Sequence, residues 1–146
     1  MCVHDDPLTA YPVIVRQSIE WGDMDAHGHV NNIVYYRYME NARIAYYERI
    51  GKYEFERVSG VSFVLASNAC RYRASLTYPG TILVGARVTS IEPDRAQMRY
   101  RIVTEAQRVL AAEGEATLVA IDLATQRKAA FPQALRERIL ELQGTL

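Results

Sequence analysis

The chain of 146 residues is long enough for one domain around one core, since a globular fold of that size buries roughly 70% of its unfolded-chain surface. Hydrophobic residues at 49% and charged residues at 23% exclude a disordered, collagen-like or disulfide-scaffold chain. Seventeen basic and seventeen acidic residues cancel to a net charge of zero, so no broad positive field is available for nucleic acid or an anionic membrane.

In chain order, the opening Met1-Cys2-Val3-His4-Asp5-Asp6 has no basic stretch followed by an apolar one. No apolar run approaches the ~18 residues that span a bilayer, so a cytoplasmic protein without membrane insertion is expected. Cys2 and Cys70 are too far apart for a metal-ligand motif or a bridge framework, and two reduced thiols are expected. Pro12 to Ile19 reads as a strand, with Val13, Val15 and Ile19 on one face against Arg16 and Ser18. After a polar stretch the period changes. From Asn32 to about Ile50, the residues Tyr35, Tyr38, Met39, Ala42, Tyr46 and Ile50 fall on one helical stripe, and Ile44 and Tyr47 beside it imply a largely buried helix. Asn31 is the expected N-cap and Gly51 the expected stop.

Four strands are then predicted over Ser62–Ala74, Thr81–Ile91, Ala96–Val103 and Arg108–Asp122. Tyr78-Pro79-Gly80 reads as a turn, and Pro93-Asp94 and the gap near Ala106 suit antiparallel hairpins. In the last strand Ala112, Gly114, Ala116, Leu118 and Ala120 form a face of mostly small residues that lets a helix approach closely. A short helix over 133–142 ends the pattern. The predicted class is α+β, an antiparallel meander wrapped around one long helix, with a core over about 12–132 in a single domain spanning 1–146. Exposed sheet edges and zero net charge favour a homo-oligomer, a dimer or tetramer.

The chemistry is concentrated in Trp21-Gly-Asp23-Met-Asp25-Ala-His27-Gly-His29-Val-Asn31-Asn32. Two carboxylates, two imidazoles and two amides lie there in a non-periodic loop that feeds a helix start. The unpaired N–H groups and positive dipole end of a helix N-terminus suit a developing negative charge, so a base beside such a donor is suited to acyl transfer. The spacing Asp23-x-Asp25-x-His27-x-His29 would place four ligands on one face of an extended strand. Gly28 and the helix start argue for a turn instead, and no downstream ligand cluster is present, so no metal is expected.

The pattern Asp25-Ala-His-Gly-His29-Val-Asn-Asn32, with Tyr35, Glu40 and Ala42-Arg43 after it, resembles the opening of the 4-hydroxybenzoyl-CoA thioesterase-like hotdog enzymes, in particular their bacterial acyl-CoA thioesterase branch. Phe63-Val64 leading to Tyr72-Arg73, and Val119 to Leu123 with Thr125 and Lys128, carry the resemblance over most of the chain. The resemblance implies the hotdog fold and hydrolysis of a fatty-acyl or aryl-acyl CoA thioester to free acid and coenzyme A, with no cofactor. A non-catalytic acyl-CoA or acyl-carrier binding module of the same fold is the rival. Catalytic roles carry over to Asp25 as general base or nucleophile, to the backbone N–H of Asn32 as the group that polarises the thioester carbonyl, and to His29, in a variable part of the motif, as an orienting group for Asp25. Asp23 reads as a structural turn residue, and Ser75 stands where the family usually has proline. Tyr35 and Tyr36, in the first turn of the helix, are candidates for the acyl pocket. Arg71 and Arg73, one strand period apart, are candidates for the coenzyme A phosphates, with Arg99, Arg101, Arg127 and Lys128 as further basic residues.

Overall fold

The apolar spacing of the chain is realised in a computed structural model that describes residues 5–146. Strand β1 (Val13–Ser18) leads through one 3-10 turn, Trp21–Asp23, and an irregular loop into helix α1 (Val34–Arg49). Helix α2 (Lys52–Ser59) follows, then β2 (Val61–Tyr72), β3 (Thr81–Ile91), β4 (Arg95–Thr104), β5 (Leu110–Asp122), the two-residue β6 (Arg127–Lys128) and helix α3 (Gln133–Gln143). Among the described residues no helix is long and apolar enough to cross a membrane. Cys2 lies outside the described residues, and among the described residues Cys70 is a free thiol.

The sheet is antiparallel in the order β1-β3-β4-β5-β2, with β6 added to β5. The hairpins β3-β4 and β4-β5 form as their turn residues predict, but β2 does not begin the meander. Residues 73–80 carry the chain from β2 at one edge of the sheet to β3, beside the opposite edge strand β1, so β2 pairs with β5 from Val61↔Asp122 to Tyr72↔Ala112 and its other side has no strand partner among the described residues. Strand β1 pairs with β3, from Val13↔Ala86 to Ser18↔Thr81. β5 begins at Leu110 rather than Arg108, because Arg108 takes a left-handed conformation (φ 55°) inside the hairpin turn.

The predicted stripe is the core face of α1: Tyr35, Tyr38, Met39, Ala42, Tyr46 and Ile50 are all buried against the sheet. Tyr47 is buried too, whereas Ile33 and Ile44 are exposed, because the sheet covers α1 from one side only. The expectation of a largely buried helix therefore holds for that side alone. Helix α2 has no counterpart in the apolar pattern, since its buried residue is Lys52. The Lys52 ammonium reaches Glu56 at 2.5 Å and Ser62 at 3.1 Å and lies over the rings of Tyr47 and Tyr53. Gly51, in a left-handed conformation, separates the two helices as a helix stop should.

Two contacts fix the layers. A Cβ at Gly114 would lie 2.0 Å from Met39 Sδ, so the absence of a side chain on β5 admits the buried Met39 of α1. Gly114→Ala is expected to destabilise the fold by about 1–3 kcal/mol through overpacking. In a Gly114→Ala/Met39→Ala double variant the total loss should be smaller than the sum of the two singles, which urea unfolding of all three variants measures. At the other contact, Gln143 of α3 takes the place of a strand partner beyond the end of β1. Its side-chain amide donates to Val88 O (2.7 Å) and accepts from Val88 N–H (3.1 Å), while Tyr46 donates to its Oε1 (2.7 Å).

Candidate active site

The loop between β1 and α1 is fixed by its own main chain. Asp23 accepts from the Glu20 N–H (2.9 Å) and the Tyr38 hydroxyl (2.7 Å) with one carboxylate oxygen, and its carbonyl accepts the Asn31 N–H (2.9 Å). Burial, with the Asp23 carboxylate next in effect, holds the Tyr38 hydroxyl well above the ordinary tyrosine range, so it stays a donor. Asp23 is thus a structural residue, as its place in the turn suggests. A bridge between Met24 and Val30 closes the loop, and inside it Asp25 N–H donates to His29 O (2.9 Å) and Gly28 N–H to Asp25 O (3.1 Å). Gly28 sits at φ 79°, where a side chain would be strained. Val30 N–H donates to Leu76 O (2.8 Å), which ties the loop to the segment after β2.

Asp25 Oδ1 accepts the His27 N–H at 2.9 Å, an Asx turn, and Oδ2 has no hydrogen-bond partner among the described residues. His29 holds Asp25 through its main-chain carbonyl, with no hydrogen bond between their side chains. At the helix start, Asn31 Oδ1 accepts the Ile33 N–H (3.0 Å) and Asn31 O the Val34 N–H (2.9 Å). The cap expected at Asn31 therefore serves a turn that precedes α1, and regular helix begins at Val34 with Ile33 at the N-cap. Asn32 lies in that turn. Its N–H makes no hydrogen bond among the described residues, and its carbonyl accepts the Tyr72 hydroxyl at 2.8 Å. The Tyr72 ring meets Tyr35 edge-on with centroids 4.9 Å apart, and the Tyr35 hydroxyl donates to Ala74 O (3.3 Å). Burial, aided by Cys70 and the neighbouring tyrosines, pushes the Tyr72 hydroxyl up to about 12, so it remains protonated at neutral pH.

Asp25, His29, Asn32, Tyr35, Tyr72 and Arg73 line one open cleft of about 460 Å³. The sequence matches the description of the thioesterase-like superfamily over residues 19–139. The chain belongs to that superfamily. The hotdog fold and the thioester hydrolase class inferred from the helix-start motif are thereby borne out. The long-chain acyl-CoA thioesterase FadM of Escherichia coli is 24% identical over 119 residues, which are 82% of this chain and 90% of FadM. A thioesterase from Thermus thermophilus, solved with coenzyme A and zinc, is 33% identical with a TM-score of 0.81, covering 94% of this chain and 98% of its own. The PA5185 protein of Pseudomonas aeruginosa is 31% identical, also with a TM-score of 0.81, over 93% of this chain and 94% of its own.

Within this thioesterase-like domain, the cleft gathers five of the residues singled out from the sequence: Asp25, His29, Asn32, Tyr35 and Arg73. Tyr36 is elsewhere. One residue further along a helix is about 100° further around it, and Tyr36 lines a depression with Ile33, Arg37, Glu40 and Leu65 instead. Arg71 lies beside Arg99, Glu113 and Glu115 on the outer face of the sheet, away from α1. Arg73, just past the end of β2, reaches the cleft and bonds Glu113 at 2.9 Å. That bond, with Arg101 also close, holds the Glu113 carboxyl below the usual carboxylate range. Tyr72 is a cleft residue that the sequence reading quoted only as part of a motif, its signal being the place next to Arg73. His27 lines the cleft too, but the Asp23 carboxylate is turned to Tyr38. Among the described residues no three His, Cys, Asp or Glu side chains gather as a metal site.

Proposed function

We propose that the chain hydrolyses acyl-CoA thioesters with Asp25 as the catalytic carboxylate and the Asn32 N–H as the carbonyl-polarising donor. The observation that carries the assignment is their meeting in one cleft: Asp25, with a carboxylate oxygen that has no hydrogen-bond partner among the described residues, and Asn32, with an N–H likewise unpaired just before a helix, line the same space. With the thioester oxygen on the Asn32 N–H, Asp25 takes a proton from water as the water adds to the carbonyl carbon. The tetrahedral intermediate keeps its negative charge against the N–H and the helix dipole, then collapses with loss of the coenzyme A thiolate, which takes up the proton. Direct attack by Asp25 is the other route, through a mixed anhydride that water opens. His29 orients Asp25 through its main chain. Tyr35 lines the acyl side, and Arg73 offers a guanidinium to a phosphate of coenzyme A.

The working form in this reading is a dimer or tetramer. Its support is the free edge of β2 with Val64 and Leu65 exposed, the exposed side of α1 next to it, and a net charge of zero. Tyr36 and Leu65 share a depression on that face, so Tyr36 and the edge strand belong to the surface that a second copy would meet. The reading includes a cytoplasmic location, the compartment in which a thiol such as Cys70 stays reduced.

Purified protein assayed with acyl-CoAs from short to long chain, aliphatic and aromatic, is expected to release thiol from at least one series. Sedimentation at the assay concentration should give a dimer or tetramer. Acyl-CoA that binds without any release of thiol would leave the binding-module reading in its place, and an active monomer would remove the oligomer.

A further inference from the structure

On the face of the sheet away from α1, strand alternation places Arg87 of β3, Arg99 and Arg101 of β4, and Glu113 and Glu115 of β5. The register sets Arg87 directly across from Arg99, a like-charge pair that destabilises a sheet. Glu115 stands opposite Arg99 and Glu113 opposite Arg101. The carboxylates answer only part of this charge. Arg101 donates to Pro7 O (2.8 Å) and reaches Glu113 at 3.4 Å, and Arg99 reaches Glu115 at 3.4 Å. Arg87 has no ion-pair partner among the described residues. The Nε–H groups of Arg87 and Arg101 are buried with no acceptor among those residues, where a buried donor is normally satisfied.

The segment before β1 folds over this face. Leu8 packs on Leu83 and Val103, and Tyr11 is buried with Arg101 lying 5.8 Å from its ring centroid. Thr9, Tyr11, Thr89, Leu146 and the three arginines line a cavity of about 380 Å³ that shares no residue with the Asp25 cleft. Burial raises the Tyr11 hydroxyl above its ordinary value, with Arg101, Arg99 and Arg87 pulling it down and Glu113 adding to the rise.

We propose that Arg87, Arg99 and Arg101 form a binding site for a phosphate-bearing anion, a diphosphate or nucleotide phosphate, outside the Asp25 cleft. Guanidinium forks match phosphate oxygens two at a time, and such an anion relieves the Arg87–Arg99 opposition and gives Arg87 the counter-charge that it lacks among the described residues. The hydroxyls of Thr9 and Tyr11 are further donors on the wall, while that of Thr89 donates to Gln97 O (3.4 Å). Two sources carry this chemistry: a free diphosphate or nucleotide, and the 3′-phospho-ADP end of a coenzyme A thioester.

Calorimetric titration of the native protein with inorganic pyrophosphate tests the site without any turnover, so its failure leaves the thioesterase reading untouched. Wild type should bind, more weakly as salt is raised, and Arg87→Gln should bind tenfold or more weakly. Arg87→Lys, which keeps the charge and loses the fork, should fall between them. Unliganded Arg87→Gln should melt no lower than wild type, since a like-charge opposition has been removed. Kinetics separates the sources. If the substrate supplies the phosphate, Arg87→Gln raises KM for an acyl-CoA with kcat kept, and leaves the N-acetylcysteamine thioester unaffected. If the anion is a separate ligand, KM is unchanged for both, and the site stands in either case. Wild type that takes up no pyrophosphate, or folded Arg87 variants that bind it as wild type does, would overturn the proposal.

Discussion

Asp25→Asn lowers kcat for an acyl-CoA thioester by roughly 10²–10⁴ and leaves the melting temperature near that of wild type. The variant separates structure from chemistry because asparagine keeps the size of the side chain and an oxygen that accepts the His27 N–H, the bond that holds the loop at 2.9 Å. The Asp25 N–H and C=O bonds to His29 and Gly28 are main-chain bonds and are not touched. What is lost is the charge, and with it both the base and the nucleophile. KM should change little, since the carboxylate acts on water or on the carbonyl carbon and not on the coenzyme A moiety. Wild-type kcat in a folded Asp25→Asn variant would remove Asp25 from the reaction.

The second large effect is expected at a main-chain atom. Asn32→Pro should lose roughly 10²–10³ in kcat, the usual consequence of removing one oxyanion donor, while Asn32→Ala keeps most activity. Proline deletes an N–H that makes no hydrogen bond among the described residues, so no internal bond is broken, and it keeps the carbonyl that accepts the Tyr72 hydroxyl. Position 32 precedes the first regular residue of α1, where a fixed φ near −65° is tolerated. Proline also restricts the residue before it, Asn31, whose side chain and carbonyl organise the turn. Circular dichroism and melting of both variants should therefore match wild type before rates are compared. A folded Asn32→Pro enzyme with normal kcat would place the thioester carbonyl on another donor.

Much of the fold was legible because it rests on short-range periodicity. The stripe from Tyr35 to Ile50, the alternation in β3, β4 and β5, and the mostly small-residue face around Gly114 each follow from side-chain direction over a few residues. The order of strands was not legible in the same way. Nothing in residues 73–80 states that they cross over from the edge strand to β3, and the placement of β2 beside β5 is decided by pairing over about fifty residues. Helix α2 escaped because it buries a lysine, whose ammonium is satisfied by Glu56 and Ser62, rather than an apolar stripe. At the candidate site the loop residues declared themselves by composition and by the helix start after them. Tyr36 and Arg71 did not separate from Tyr35 and Arg73, because neighbours in sequence diverge only when a helix turns or a strand ends. Tyr72 shows its importance only through a bond to a carbonyl forty positions away.

That bond also gives the edge strand a share in the reaction. Tyr72 is the last residue of β2, an edge strand of the sheet, and its hydroxyl steadies the peptide group next to the proposed oxyanion donor. Any event that orders β2 therefore also orders the turn at Asn32, and the two equilibria are thermodynamically linked. Pairing of a second copy along that edge would stiffen the site of the first without contributing an atom to it. Specific activity would then fall on dilution, as the oligomer dissociates and the edge strand loosens.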